Sequence, residues 1–240
     1  MTDISPELLD LLRDLVAIDS VNPGLDAGGA GEGAVADHLE TWARARGLAV
    51  ERHGAAARPS LLVSSRGGGS GPTIVFCGHL DTVGLGGMDA PLEPRVDSGR
   101  LHGRGGYDMK GGLAAALVAA PRLDRMPWAG RVVVAAVADE ENLSQGMVDV
   151  LGALSADAAV VTEPTELEVV TAHRGFAWLT VTAHGVAAHG SRPHLGVDSI
   201  VAMGKVLTGL GELQARLAAS AHPLLGPATV HASLIAGGTE

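Results

Sequence analysis

Apolar residues recur along the chain with two different periods. Leu8, Leu9, Leu12, Leu15 and Val16 fall on one stripe at helical spacing. Ser5-Pro6-Glu7 ahead of them reads as a helix start, with an N-cap, a proline in the first turn and an acid at the positive end of the dipole. A second stripe, Val35, Leu39, Trp42 and Ala43, predicts a helix over about 32–46, stopped by Gly47. Short apolar or alternating runs predict strands at 48–52, 60–64, 73–77, 131–138 and 158–161. Helices are predicted between them at about 110–123 and 144–154. The glycine-rich stretches 22–31 and 67–72 read as loops, and 82–106 reads as irregular with a hairpin turning at Ser98-Gly99. Strands alternating with helices predict an α/β fold, a mainly parallel sheet with helices on both faces.

The style changes after Pro164. Residues 176–182 alternate like a half-exposed strand, a long amphipathic helix follows at about 197–219, and 229–235 alternates again. The expected division is a catalytic domain over 1–172 and an incomplete α+β domain over 173–240. The chain stops straight after its last expected strand, at Gly237-Gly238-Thr239-Glu240, so a truncated second domain is expected.

Composition narrows the partners. The 240 residues are 46% hydrophobic and carry a net charge of -10 with no long charge run, so neither nucleic acid nor an anionic membrane is an expected partner. No apolar run reaches the ~20 residues that span a bilayer. Met1-Thr2-Asp3-Ile4 opens without a basic or signal-like segment. The one cysteine, Cys77, lies inside an apolar strand and fits a reducing compartment. A cytoplasmic protein is the expectation.

The chemistry lies at strand ends. The strand at 73–77 runs into Gly78-His79-Leu80-Asp81, where a period of two puts His79 and Asp81 on one side. His79 reads as a metal ligand and Asp81 as the carboxylate that orients its ring. The strand at 131–138 ends in Asp139-Glu140-Glu141, and the strand at 158–161 ends in Glu163-Pro164. Sites in open α/β sheets form beyond the carboxyl ends of strands, so these groups should meet in one crevice. Asp108 stands before a helix start in a glycine-rich segment, where it either caps that helix or joins the site. Acids so gathered stay ionised together only beside a cation. One imidazole with several carboxylates suits zinc, cobalt or manganese. Of two adjacent glutamates, one can coordinate while the other takes a proton from water. Neither a nucleophile elbow nor a phosphate loop is present.

Five segments, in order, carry a resemblance: Gly78-His79-Leu80-Asp81-Thr82-Val83; Gly103-Arg104-Gly105 with Asp108-Met109-Lys110-Gly111-Gly112; Asp139-Glu140-Glu141; Glu163-Pro164-Thr165; and Ala188-His189-Gly190-Ser191 with Pro193. The chain resembles the zinc-dependent family that includes aminoacylase, acetylornithine deacetylase, succinyl-diaminopimelate desuccinylase and glutamate carboxypeptidase. The resemblance implies two divalent metal ions, zinc with cobalt or manganese as alternatives. Asp108 would bridge them, His79 and Glu163 would serve one, and Glu141 the other. Glu140 would be the general base, and Asp81 would orient His79. His189 would lie in a lid and dimerisation domain, reach a neighbouring subunit's site and stabilise an oxyanion, which implies a homodimer. The implied reaction is hydrolysis of an N-acyl amino acid, with a carboxypeptidase or dipeptidase, or a non-catalytic metal-binding fragment, as alternatives. The family's last metal-ligating histidine would lie beyond Glu240. Tyr107 is bulkier than the residues the family places there. Arg104 and Lys110 are expected to neutralise nearby carboxylates.

Overall fold

A computed structural model describes residues 5–67, 70–123, 126 and 129–238. The sequence readings at residues 1–4, in the middle of the 67–72 connector and at 239–240 fall outside that set. The chain divides into two compact units, Met1–Leu167 and Glu168–Glu240.

In the first unit the periodic stripes become helices where expected. α1 (Pro6–Ala17) buries Leu11, Leu15 and Val16. Ser5 precedes it without a side-chain cap bond, because its hydroxyl accepts from Arg122 Nη2 at 2.9 Å instead. α2 (Gly33–Ala45) buries Val35, Leu39 and Trp42. It ends before Gly47, whose φ of 77° is a left-handed conformation that glycine adopts without a Cβ clash.

β1 (Ala49–Ala55) and β2 (Arg58–Ser64) form an antiparallel hairpin. β3 (Thr73–His79) runs two residues further than its apolar run, so His79 is part of the strand. β4 (Arg95–Asp97) and β5 (Arg100–His102) make the expected small hairpin, with positive φ at both Ser98 and Gly99. A tight turn over Gly106–Lys110 leads into α3 (Gly111–Leu123). β6 (Arg131–Val137), α4 (Gln145–Leu151) and β7 (Ala158–Val161) complete the unit.

The five-stranded sheet has the order β1-β2-β6-β3-β7. β3 pairs parallel with both β6 and β7, while β2 is antiparallel to β6 and to β1. β1, β6, β3 and β7 therefore all run one way, and β2 alone runs against them. The alternation along β6 explains the layering. Val132, Val134 and Ala136 join Leu11, Leu15, Leu39, Leu61 and Leu117 in a core under α1, α2 and α3. Val133, Ala135 and Val137 face the other way and pack with Leu62, Val75 and Val150 under α4. Because β3, β6 and β7 are parallel neighbours, their carboxyl ends open on the same edge.

The second unit contains α5 (Ser199–Ala218), started by Asp198, whose side chain accepts from Val201 N at 2.8 Å. A two-residue hairpin, β8 (Ala221–His222) with β9 (Gly226–Pro227), follows. The strands expected at 176–182 and 229–235 are absent among the described residues. Alternation supplies a face, but a strand also needs a neighbour for its backbone groups. Here Val230 N takes Gln214 Oε1 at 2.7 Å, and Phe176 and Trp178 are exposed with their rings edge to face at 6.2 Å.

Candidate metal centre

His79 ends β3 and is buried to 1% exposure. Its Nδ1 lies 2.8 Å from the backbone carbonyl of Asp81. A carbonyl oxygen only accepts, so Nδ1 carries a proton, and in the neutral ring the Nε2 lone pair is free. Nε2 points at acids from three other segments: Asp108 Oδ1 at 3.1 Å, Glu140 Oε2 at 3.8 Å and Glu163 Oε1 at 3.9 Å. Two triads are close enough to hold a metal ion, His79-Asp108-Glu141 and His79-Glu140-Glu163, with ligand atoms in each within 4.8 Å of one another. Asp108, Glu140 and Glu163 are partly open to solvent while the imidazole beneath is not.

Each group arrives there for a local reason. Gly78 lets α3 and its preceding turn approach β3, since a Cβ at that position would lie 3.0 Å from Met109 Cε. Gly112 does the same at the first turn of α3, where a Cβ would collide with the carbonyl oxygen of Thr162. Asp108 sits in the tight turn before α3, where it (φ -117°, ψ 102°) and Met109 (φ -129°, ψ 31°) both leave the helical region, and the peptide between them is cis. Glu163 lies two residues past β7 and Glu140 three past β6.

The electrostatics fit a cation. Burial pulls the His79 pKa down, but the Asp108 hydrogen bond and the charges of Asp81, Glu140 and Glu163 outweigh it and lift the group to about 9. The bond to His79 holds Asp108 below the usual carboxylate range. Burial first, then the charges of Asp108 and Glu140, push Glu163 up to about 7 against the pull of His79. Glu141 is raised too, chiefly by burial. A single imidazole does not neutralise this many acids. A divalent ion would supply the missing charge, and one neutral imidazole nitrogen with several carboxylate oxygens is a donor set that suits zinc, cobalt or manganese.

The Asp81 side chain lies beside the His79 ring without supplying its nearest oxygen. Its Oδ1 is 3.6 Å from His79 Nδ1, whereas the backbone carbonyl is at bonding distance. The buried carboxylate instead accepts from Glu140 N at 3.1 Å and Glu141 N at 3.1 Å. Lys110 lies close enough to Asp19 and Asp81 to feel their charges, but its hydrogen bonds go to the backbone. Its ammonium is buried and donates to Leu15 O at 2.8 Å and Ile18 O at 3.1 Å, and burial lowers its pKa to about 8. Arg104 reaches the carbonyl of Gly86 at 3.5 Å. His189 belongs to the second unit, where its Nδ1 lies 2.9 Å from Ser191 Oγ. Sequence reasoning passed over Asn22, Glu32 and Arg58, which stand directly behind Asp81 and Asp139. No motif marks them; only their burial or pairing distinguishes them from loop and surface residues.

Comparison with known proteins agrees with this geometry. Among solved structures, the chain is similar to an M20 family metallo-carboxypeptidase from Sulfolobus solfataricus (TM-score 0.56, 21% identity, 66% of this chain and 37% of the other). It is also similar to a tripeptidase from Staphylococcus aureus (TM-score 0.54, 19% identity, 84% and 55%). A third likeness is to a putative aminohydrolase from methicillin-resistant Staphylococcus aureus (TM-score 0.55, 19% identity, 88% and 56%). The chain spans between about a third and somewhat over half of the length of these proteins, and the likeness lies in the fold. The model of peptidase family M20/M25/M40 matches residues 75–239, a stretch that begins in β3 and includes His79, Asp108, Glu140, Glu141 and Glu163. With the fold, the clustered acids and that match in agreement, the chain belongs to peptidase family M20/M25/M40.

Proposed function

We propose that this site hydrolyses an amide bond beside an amino acid with the help of two divalent metal ions. The observation that carries the reading is the convergence of two triads that share His79, His79-Asp108-Glu141 and His79-Glu140-Glu163, each with its ligand atoms within 4.8 Å of one another. Asp108, reached by His79 and flanked by Glu141 and Glu163, is the residue proposed to be shared between the ions, with His79 and Glu163 on one and Glu141 on the other. When bound, the ions supply Lewis acidity, polarising the scissile carbonyl and lowering the pKa of water toward 7. Glu140, partly open to solvent beside His79, is the proposed base that accepts the proton of the attacking water and delivers it to the departing amine. The Asp81 carbonyl keeps the His79 proton on Nδ1, so that Nε2 faces the acids. The second unit is the proposed lid and dimerisation domain, and His189 the proposed oxyanion donor to a partner subunit's site.

The preferred substrate class is the N-acyl amino acid. A second reading, short peptides, is favoured by the names of two similar structures, a carboxypeptidase and a tripeptidase. Glu140→Gln provides the test: metal stoichiometry should be kept while hydrolysis is abolished. Undiminished turnover removes Glu140 from the role. A panel of N-acyl amino acids against di- and tripeptides decides between the two substrate classes.

A further inference from the structure

Behind the two glutamates lies a second set of polar groups, buried except for Arg58, which is partly exposed. Asp81 Oδ1 accepts from Glu140 N and Oδ2 from Glu141 N, so one carboxylate is clamped by two successive backbone amides. Oδ2 also accepts from Asn22 Nδ2 at 2.6 Å. The same Asn22 nitrogen donates to Asp139 Oδ1 at 3.1 Å, which places a neutral donor between two acids. Asn22 is itself fixed at both ends, its Oδ1 accepting from Gly24 N at 2.8 Å and its backbone N donating to Thr82 O at 2.9 Å.

Asp139 adopts a left-handed conformation, φ 62°, which turns the chain so that the next two amides face Asp81. Its partners account for a conformation that non-glycine residues rarely adopt. Its N donates to Glu32 Oε1 at 3.0 Å, and its Oδ1 meets Arg58 Nη2 at 2.9 Å. Arg58 then forks onto both oxygens of Glu32, at 2.6 and 2.9 Å. Glu32, Asn22 and Asp81 have no exposed surface, and Asp139 is 4% exposed. An internal network of this kind persists only when its members are satisfied together.

We propose that Asn22, Glu32, Arg58 and Asp139 are positioning residues: through Asp81 and the Asp139 turn they fix the backbone of Glu140-Glu141, and so aim the base and the metal-ligating glutamate. The roles of the two glutamates rest on the proposed function; the frame itself does not. The placement of one amide nitrogen between two carboxylates makes Asn22 the sensitive point. Asn22→Asp keeps the shape but sets three carboxylates against each other.

The test uses the full chain in three forms: wild type, Asn22→Asp, and Val63→Ala as a core variant remote from the network. Two quantities are read, the Co²⁺ affinity with its visible absorption, and amide hydrogen exchange at Glu140 and Glu141. Outer-shell partners of a metal ligand typically carry about 10–100-fold in affinity. Asn22→Asp is expected to weaken Co²⁺ by that factor and to speed exchange at Glu140 and Glu141 about tenfold or more, with Val133–Val137 unchanged. Val63→Ala is expected to leave both readings at Glu140-Glu141 in place. Unchanged exchange and affinity within about threefold in Asn22→Asp overturn the proposal, as do equal losses in Val63→Ala. If the wild type takes up no Co²⁺, the proposed function fails, and the exchange measurement still decides the frame. If Asn22→Asp does not fold, Arg58→Lys, which keeps the charge but loses the fork, is read the same way.

Discussion

Asp81→Asn separates two ways in which this residue could serve the site. The substitution leaves the backbone carbonyl in place, and with it the 2.8 Å contact to His79 Nδ1. What it changes is the pair of oxygens. Oδ1 faces Glu140 N, and Oδ2 faces both Glu141 N and Asn22 Nδ2, so all three neighbours are donors. An amide has one acceptor end. Its best orientation keeps the oxygen toward Glu141 N and Asn22 and turns the NH₂ toward Glu140 N. That exchanges a hydrogen bond to a charged acceptor for two buried donors face to face. Leaving a buried donor unpaired costs about 1–3 kcal/mol. Relief of the repulsion between Asp81 and Asp139, which share the Asn22 nitrogen, offsets part of this. A net loss of about 2 kcal/mol corresponds to roughly 4–8 °C in a chain of this length. Calorimetry of the metal-free chain measures it, and a companion Co²⁺ titration should show weaker binding although His79 keeps its own partner. A melting temperature within about 1 °C of wild type, with Co²⁺ affinity unchanged, refutes the assignment of the carboxylate to the glutamate backbone.

Three further outcomes follow from the geometry. In the metal-free chain the folded-state pKa values of Glu163 (about 7, ordinarily 4.5) and His79 (about 9, ordinarily 6.5) both lie above their unfolded values. The stability tied to each is complete below the unfolded value and is lost as pH rises through the folded one. Between pH 5 and 7.5, below the range in which the lowered pKa of Lys110 acts in the opposite sense, the melting temperature without metal should therefore fall, and added Zn²⁺ or Co²⁺ should raise it most at the upper end; a metal-free chain that gains stability over that range contradicts the site's electrostatics. Gly112→Ala drives a methyl group into the Thr162 carbonyl beside Glu163, and should cost about 1–3 kcal/mol by denaturant titration together with a loss of metal affinity. Leu61→Ala, in the fully buried centre of β2, should cost about 2–5 kcal/mol in the same titration while leaving the ligand positions alone.

The first unit was legible because its signals are local. Helical stripes at 8–16 and 35–43 became α1 and α2, and the run from Val132 to Val137 became a strand buried on both faces. Parallel order then brought His79, Asp139-Glu140-Glu141 and Glu163 to one edge. What sequence did not yield is pairing across distance. Nothing in Asn22, Glu32 or Arg58 announces that they meet behind Asp139, since the partners lie tens of residues apart and share no motif. His-x-Asp spacing suggested a carboxylate on the ring; the short stretch after β3 instead brings the Asp81 backbone carbonyl to Nδ1 and frees the carboxylate for the glutamates. In the second unit the period-two pattern at 176–182 and 229–235 read as strands, but periodicity cannot supply the neighbouring ladder that a strand requires.

The buried ammonium of Lys110 has a consequence for the opening of the chain. It stands two residues past Asp108 yet spends its hydrogen bonds on Leu15 and Ile18, the final turn of α1 and the residue just after it. The opening helix is thus a brace for the turn that carries Asp108, ninety-odd positions downstream. Deleting it would take away the Leu15 carbonyl and leave this interior ammonium with the Ile18 carbonyl alone of its two acceptors. An N-terminal trimming that looks harmless on a sequence map should therefore slacken the turn at Asp108 before it loosens the sheet.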